Sequence, residues 1–345
     1  MICRSEDLPV AVGIPVRDEA DRLPRLLDAL CEQSAGAGAF TVCFLLDGCS
    51  DDSEALLRAA APGLPFDVKL SSLPRAEPNA GRARHGAMEM CLEVIGPQRG
   101  IVLTTDGDSL PEPDWIETTR RALHDVDVVA GHIERNIRLT GCWRTRLEDY
   151  LNALHSMRRE VDPIAWDAAP SHPSLGGAKL GFRADVYRAL GGFPAYVHGE
   201  DTALISKARR EGYRVRHDPA VRVLTSNRTA GRAPGGLADE LRVQLHSDLP
   251  PLVADPAVCL RHYRLQAALR RAHEAGPAAV VAAARRFGYC EMHLTDVARE
   301  VRTSDAFVEI IAPADCVGRS DVLRLPAAEE ALRELQTPQP ETAVA

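Results

Sequence analysis

From Val10 to Ile133 short apolar runs rich in β-branched residues alternate with stretches of helical periodicity. This alternation restricts the chain to β-α-β units that build a mostly parallel sheet with helices on its faces. The pattern predicts strands at Val10–Val16, Phe40–Leu46, Ile101–Thr105 and Val126–Ile133, with a weaker one at Asp67–Leu70. It predicts helices at Arg22–Cys31, Ser53–Ala60, Gly81–Ile95 and Pro113–Leu123; Asp51 or Asp52 can cap the second, and Pro113 opens the last in its first turn. The nearly uncharged Ile101–Thr105 suits the centre of the sheet, buried on both faces.

Beyond a long helix at Trp143–Arg159, a loop rich in Pro, Ser and Gly spans Asp162–Gly177, the kind of segment that lines a binding site. After Pro234-Gly235-Gly236 the composition turns to Ala, Arg and Leu. Helical runs at Leu237–Ser247, Leu260–Glu274 and Pro277–Phe287 then read as a helical C-terminal extension. The expected division is a catalytic domain over 1–235, the extension over 236–335, and a disordered tail over 336–345.

The charge balance narrows the partners. Lys and Arg number 41 against 49 Asp and Glu, a net charge of -8, so a general electrostatic grip on nucleic acid is not expected. The nine cysteines include no C-x-x-C pair and read as reduced thiols. The N-terminus lacks a secretory pattern, and no apolar run approaches the roughly 18 residues that span a bilayer. A cytoplasmic location is expected, any membrane contact being peripheral, at the inner face of the cell membrane. The arginine-bearing helices from Arg261 to Arg286 could dock on such a surface, form a homodimer interface, or pack on the catalytic domain.

Where the strand at Ile101–Thr105 ends, Asp106-Gly107-Asp108 sets two carboxylates two residues apart. In extended geometry these face the same way, and together they can hold a hard divalent cation, Mg²⁺ or Mn²⁺, that neutralises a departing diphosphate. The plainer reading is a turn. Two further strand ends are acidic: Ile14-Pro15-Val16-Arg17-Asp18-Glu19 and Leu46-Asp47-Gly48-Cys49-Ser50-Asp51-Asp52. Each alone is an ordinary strand-to-helix turn. Three on one edge gather carboxylates whose repulsion calls for a cation or for hydrogen-bond donors. Finally Gly191-Gly192-Phe193 precedes His198-Gly199-Glu200-Asp201, where two acids open a helix. They either favour its dipole or supply a general base for an acceptor hydroxyl.

In this order and spacing the motifs resemble family 2 of the GT-A glycosyltransferases: an I-P-x-x-N-E start, a D-D-G-S-x-D turn, an N-x-G…A-R-N-x-G segment, a D-x-D centre, and G-G-F followed by E-D. The counterparts are Ile14-Pro15 with Glu19, Asp47-Gly48 with Asp51, Asn79-Ala80-Gly81-Arg82 through Gly86, Asp106-Gly107-Asp108, and Gly191-Gly192-Phe193 through Asp201. The match covers about residues 8–232. The resemblance implies an α/β GT-A fold with a nucleotide-binding half at 8–110 and an acceptor half at 111–235. It implies a donor of UDP, GDP or TDP type, with Pro15, Glu19 and Asp47 around base and ribose and Arg82 near the nucleotide. Asp106 would contact the ribose or metal and Gly107 the nucleotide sugar, Asp108 would be the direct metal ligand, and Asp201 the catalytic base, with Glu200 supporting it or contacting the acceptor. The implied reaction is inverting transfer to a hydroxyl of a small or lipid-linked acceptor.

The chain departs from the family at Asp18 and Lys179, both where Asn is usual, and at Leu46 in place of an acid. The run Val221–Arg228 carries no histidine for a third metal ligand, while Arg214, Arg216, Arg228 and Arg232 offer an alternative grip on diphosphate or an anionic acceptor. Arg183 matches a frequent F-R pair. Neither a P-loop nor a dinucleotide fingerprint is present, no histidine spacing suits zinc, and the Q-x-x-R-W motif of processive members is missing. A retaining transferase, a nucleotidyltransferase and a non-catalytic binding protein on the same fold stay open as rivals.

Overall fold

A computed structural model describes residues 8–135, 143–225, 249–313 and 321–337. The chain divides into two compact units: Met1–Arg138 with Ala165–Arg242, and Leu139–Ile164 with Val243–Ala345. The helix at Trp143–Val161, placed with the acceptor half in the sequence reading, therefore groups with the C-terminal helices. The expected helix Leu237–Ser247, Pro234–Gly236, Arg228, Arg232 and residues 338–345 of the tail lie outside the described residues.

The first unit is built on an eight-stranded sheet. Its strands are β1 (Val10–Val16), β2 (Phe40–Asp47), β3 (Asp67–Leu73), β4 (Ile101–Thr104), β5 (Ser109–Pro111), β6 (Val128–Arg135), β7 (Leu180–Arg183) and β8 (Val215–Thr225), in the order β3-β2-β1-β4-β7-β6-β8-β5. The first four strands pair in parallel, with Val16 beside Leu46 and Gly13 beside Thr104, so their carboxyl ends share one edge. Beyond β4 the sheet is mixed: β7 is antiparallel to both β4 and β6, β8 runs parallel to β6, and β5 antiparallel to β8. The entirely buried Ile101–Thr104 holds the centre, as its apolar run predicts, and β3 at the edge runs three residues past its expected end.

Helices α1 (Leu23–Cys31), α2 (Ser53–Ala60), α3 (Ala80–Ile95), α4 (Trp115–Ala122), α6 (Ala184–Leu190) and α7 (Glu200–Arg210) cover the two faces, forming two apolar cores. On one side Leu23, Leu26, Leu27 and Leu30 of α1 meet Val12, Ile14 and Phe44; on the other Met88, Cys91 and Ile95 of α3 meet Ala11, Val102 and Phe182. Burial at this spacing, worth about 1.5–3 kcal/mol per large side chain, is what holds each helix to the sheet. Strands β5 and β7 were not predicted: unlike the equally short β4 with its uninterrupted Ile-Val-Leu, Ser109–Pro111 and Leu180–Arg183 carry no apolar β-branched run.

The second unit contains α5 (Trp143–Val161), α8 (Pro256–Ala275), α9 (Pro277–Phe287), α10 (Glu291–Glu300), α11 (Ser304–Ile311) and α12 (Leu325–Gln336), with a small antiparallel pair, β9 (Leu252–Ala254) and β10 (Val322–Arg324). Asp255 caps α8 by accepting from Ala257 N at 2.7 Å, and Gly276 separates α8 from α9 with φ 98°. The two apolar clusters here are Tyr150, Leu154 and Met157 with Leu325 and Leu332, and Leu269, Val280 and Leu294 with Phe307. Among the described residues no helix is long and apolar enough to cross a membrane.

Candidate active site

The parallel strands deliver three acidic segments to one edge, and hydrogen bonds tie the first two together. At the end of β1, Asp18 adopts φ 54°, a left-handed conformation that Asn and Asp tolerate better than other side-chain-bearing residues. The same conformation suits the Asn that the family has there. Its Oδ1 accepts from Ser50 N at 2.6 Å and its Oδ2 from Arg75 Nη1 at 3.2 Å; the bond from Ser50 N, foremost, lowers its pKa. Asp51 accepts from Ala20 N at 2.9 Å and from Ser53 N at 3.0 Å, so Asp51 rather than Asp52 supplies the side-chain bond at the start of α2. Asp18, Cys49 and Asp51 place ligand atoms within 4.8 Å of one another, but both carboxylates are engaged in clamping the first two loops.

Asp47, buried at the end of β2, accepts from Arg17 Nη1 at 2.9 Å and Arg82 Nη2 at 3.4 Å. Arg17 was not singled out in the sequence. Glu19 is buried too, its N–H donating to Ser53 Oγ at 2.9 Å. A Cβ on Gly107 would sit 3.3 Å from Glu19 Cγ and 3.4 Å from Pro15 O, so the D-x-D segment packs directly on the Pro15–Glu19 loop.

The D-x-D segment differs from its expected geometry. Strand β4 stops at Thr104, and Ser109 N donates to Asp106 O at 3.1 Å, closing a tight turn over Asp106–Ser109. Asp106 and Asp108 are not aligned by strand alternation. Turn formation lets the chain reverse into β5, whose Ser109 Oγ lies 3.0 Å from Thr225 Oγ1 of β8.

What connects this turn to the second acidic motif is Arg84. Its buried guanidinium donates from Nη1 to Asp106 Oδ1 at 2.8 Å and to Thr104 Oγ1 at 3.3 Å, and from Nε to Glu200 Oε1 at 3.0 Å. Burial would push its pKa down; Asp106 and then Glu200 outweigh this and raise it, so the group stays charged. Gly177 makes room: a Cβ there would lie 2.3 Å from the Arg84 guanidinium carbon. Asp201, the next residue of α7, lies close enough to act electrostatically on both Arg84 and Lys179. Arg84 was missed in the sequence although a signal existed. It shares the apolar face of α3 with Ala87, Met88, Cys91 and Ile95, where a lone arginine needs carboxylate partners.

The start of α3 is fixed by Asn79, whose Oδ1 accepts from Arg82 N at 2.8 Å while its amide donates to Ala195 O at 3.0 Å. Gly81 N donates to Tyr196 O at 2.9 Å, and a Cβ at Gly81 would fall 1.9 Å from Pro194 O. The N-x-G segment thus seats on the loop between G-G-F and E-D, which explains why these distant motifs occur together.

Lys179 is fully buried. Nζ donates to Ser174 O at 3.3 Å and Ser174 Oγ at 2.5 Å, its only hydrogen bonds among the described residues, and burial brings its pKa down to about 7. Two candidate anion contacts are already occupied: Arg216 bonds Ala168 O and Pro170 O, and Arg214 stacks on Trp166 at 5.2 Å. Arg183 faces Asp127 at 3.6 Å and Asp185 at 3.7 Å. Asp108 approaches Ser109 Oγ at 3.5 Å and is half-buried. The structure thus joins Asp106, Arg84 and Glu200 with Asp201 close by, groups Pro15, Glu19 and Gly107, and links Asp47 to Arg82.

A sheet whose parallel strands present loops and helix starts along their carboxyl edge is the architecture of an α/β enzyme that binds its ligand in that crevice. The sequence model of glycosyl transferase family 2 matches residues 11–185, just over half of the chain, and the chain belongs to that family of glycosyltransferases. Among solved structures it is similar to S. aureus TarS 1–349 in complex with UDP-GlcNAc, at 14% identity and TM-score 0.50 over 96% of this chain and 93% of that one. It is also similar to mannosyltransferase PcManGT from Pyrobaculum calidifontis in complex with GDP-Man and Mn²⁺, at 18% identity and TM-score 0.49 over 96% and 76%. At 14% identity the likeness to the TarS structure is one of fold. Among curated proteins none matches the chain by sequence.

Proposed function

We propose that this glycosyltransferase transfers a sugar, with inversion, from a nucleoside-diphosphate sugar to a hydroxyl of a small or lipid-linked acceptor. The observation that carries this is the Arg84 bridge, which ties Asp106 of the D-x-D turn to Glu200 beside Asp201. The donor half is assigned to residues 8–110 and the acceptor half to 111–235, with base and ribose lying against Pro15, Glu19 and Asp47 and with Arg82 near the nucleotide.

The donor set at the turn suits a hard divalent cation. One oxygen of Asp106 is taken by Arg84, while its other oxygen and the Asp108 carboxylate offer all-oxygen ligation that diphosphate and water can complete. Asp108 and Asp106 would hold Mg²⁺ or Mn²⁺, which when bound stabilises charge developing on the departing diphosphate. Asp201, opposite the leaving group, takes the acceptor hydroxyl proton as that oxygen bonds to the anomeric carbon and the bond from carbon to the diphosphate oxygen breaks. Arg84 holds Asp106 and Glu200 in place throughout.

A thermal-shift panel of UDP, GDP and TDP with and without Mn²⁺ identifies the donor class; one nucleotide stabilising only with metal is the expected result. In turnover, Asp201→Asn should lose about 10²–10⁴-fold in kcat. Retention of most activity, or a product that keeps the donor's anomeric configuration, would replace inversion with a retaining route. Release of pyrophosphate from a nucleoside triphosphate would overturn sugar transfer itself.

A further inference from the structure

The second unit carries a concentration of charge that the transfer reaction does not use. Arg261, Arg264 and Arg271 of α8 and Arg286 of α9 surround a groove of about 400 Å³ floored by Leu265, Ala268 and Phe287. All four arginines are exposed, and among the described residues none has a carboxylate within ion-pair distance. That is unexpected in a chain whose acids outnumber its bases, 49 to 41. Neighbouring arginines on the same helices are paired: Arg270 with Asp162 and Asp305, and Arg285 with Glu291 at 2.7 Å. The groove therefore keeps four cations uncompensated on one face, where their mutual repulsion is relieved by an anion from outside.

We propose that this groove is a binding site for an elongated, water-soluble anion bearing at least two phosphate groups. All four cations are arginines, whose planar forks match phosphate oxygens two at a time. Arg261 and Arg271 stand ten residues apart on α8, roughly 15 Å along its axis, too far for one phosphate to reach both. Arg286 stacks on the Phe287 ring at 5.2 Å, which steadies its guanidinium at the groove wall. Insertion into a bilayer surface fits less well: no large apolar side chain of α8 or α9 is among the exposed ones, so an apolar face to bury among acyl chains is missing.

The test is titration calorimetry of the full chain with sodium tripolyphosphate in EDTA and 0.15 M NaCl, so that metal-dependent binding at the D-x-D turn is silent. Expected is one saturable site, weakened at least tenfold in Arg264→Ser/Arg271→Ser and unchanged in Asp108→Asn. Should that double variant melt early by circular dichroism, Arg261→Ser/Arg286→Ser reads the same site. Equal binding by wild type and a folded double variant overturns the proposal, as does no binding by wild type. Arginine-dependent pelleting with phosphatidylglycerol/phosphatidylcholine vesicles, without tripolyphosphate binding, overturns it in favour of a membrane surface. A dimer that dissociates in the double variant overturns it in favour of self-association.

Discussion

Two buried arginines, one in each unit, make nearly the same bonds and do different things. Arg84 in the first unit holds Asp106 and Glu200; Arg270 in the second grips Asp162 with Nε and Nη2 at 2.9 and 3.0 Å and Asp305 with Nη1 at 2.6 Å. Both guanidiniums are less than a tenth exposed. In each, burial alone would lower the pKa and the carboxylates raise it instead. The difference lies in the acids. Asp162 and Asp305 are 2% and 12% exposed, a closed knot that fastens α8 to the segments around it, whereas Asp106 is 37% exposed at the carboxyl edge of a parallel sheet. An ion pair shut inside a unit serves the fold. One that leaves a carboxylate open to a crevice can serve a ligand as well.

The comparison can be broken by substitution. The largest loss of stability is expected for Arg270→Met, which strands the buried Asp162 and the part-buried Asp305; about 5 kcal/mol should disappear from urea unfolding of the second unit, while donor binding to the folded fraction is unchanged. Arg84→Met should cost less, about 3 kcal/mol, because Asp106 can turn to water, but it should also abolish sugar transfer. A folded Arg84→Met protein that keeps full activity would reduce Arg84 to a second Arg270.

Lys179 supplies the opposite case, a buried cation with no ion pair among the described residues. Its folded pKa, about 7, lies below the ordinary lysine value of 10.5, so the unfolded chain binds more protons between those limits. The burial cost is felt in full below pH 7 and fades toward pH 10.5, so wild-type stability should climb across that window. Lys179→Met should gain about 2 kcal/mol at pH 6 after allowance for relaxation around the charge, with the gain gone by pH 10.5. Thermal melts from pH 6 to 10 read this directly, and a pH-independent difference would refute the account.

The smallest change in stability belongs to Asp106→Asn, about 1–2 kcal/mol, since the amide oxygen can still accept from Arg84 and Glu200 still balances its charge. Its activity should nonetheless fall at least about 100-fold, the size expected when charge stabilisation at a leaving group is lost. Large loss of activity with little loss of stability is the signature that separates this acid from Asp162. Equal losses in both would erase the distinction.

Much of this molecule is legible in the order of its residues. The strand at Ile101–Thr104 appears where its continuous apolar run places it and the helix at Leu23–Cys31 where its period does, because burial on both faces demands the run and burial on one helix face demands the spacing. The D-x-D turn is legible as a motif but not as a shape; extended alternation is the wrong geometry once Ser109 N finds Asp106 O. Arg84 is legible in principle as a charge on an apolar stripe, yet its partners, 22 and 116 residues away, are not. The short strands β5 and β7 carry no apolar β-branched run to read.

Local patterning was enough to decide the helices and parallel strands of the first half and which motifs sit at strand ends, because those choices depend on neighbours a few residues apart. Tertiary structure alone decided which acids are neutralised, which arginine reaches which carboxylate, and which cations stay without one. Those outcomes depend on distance and burial between segments far apart in sequence, and Coulomb energies respond to angstroms and to local dielectric, neither of which residue order encodes directly.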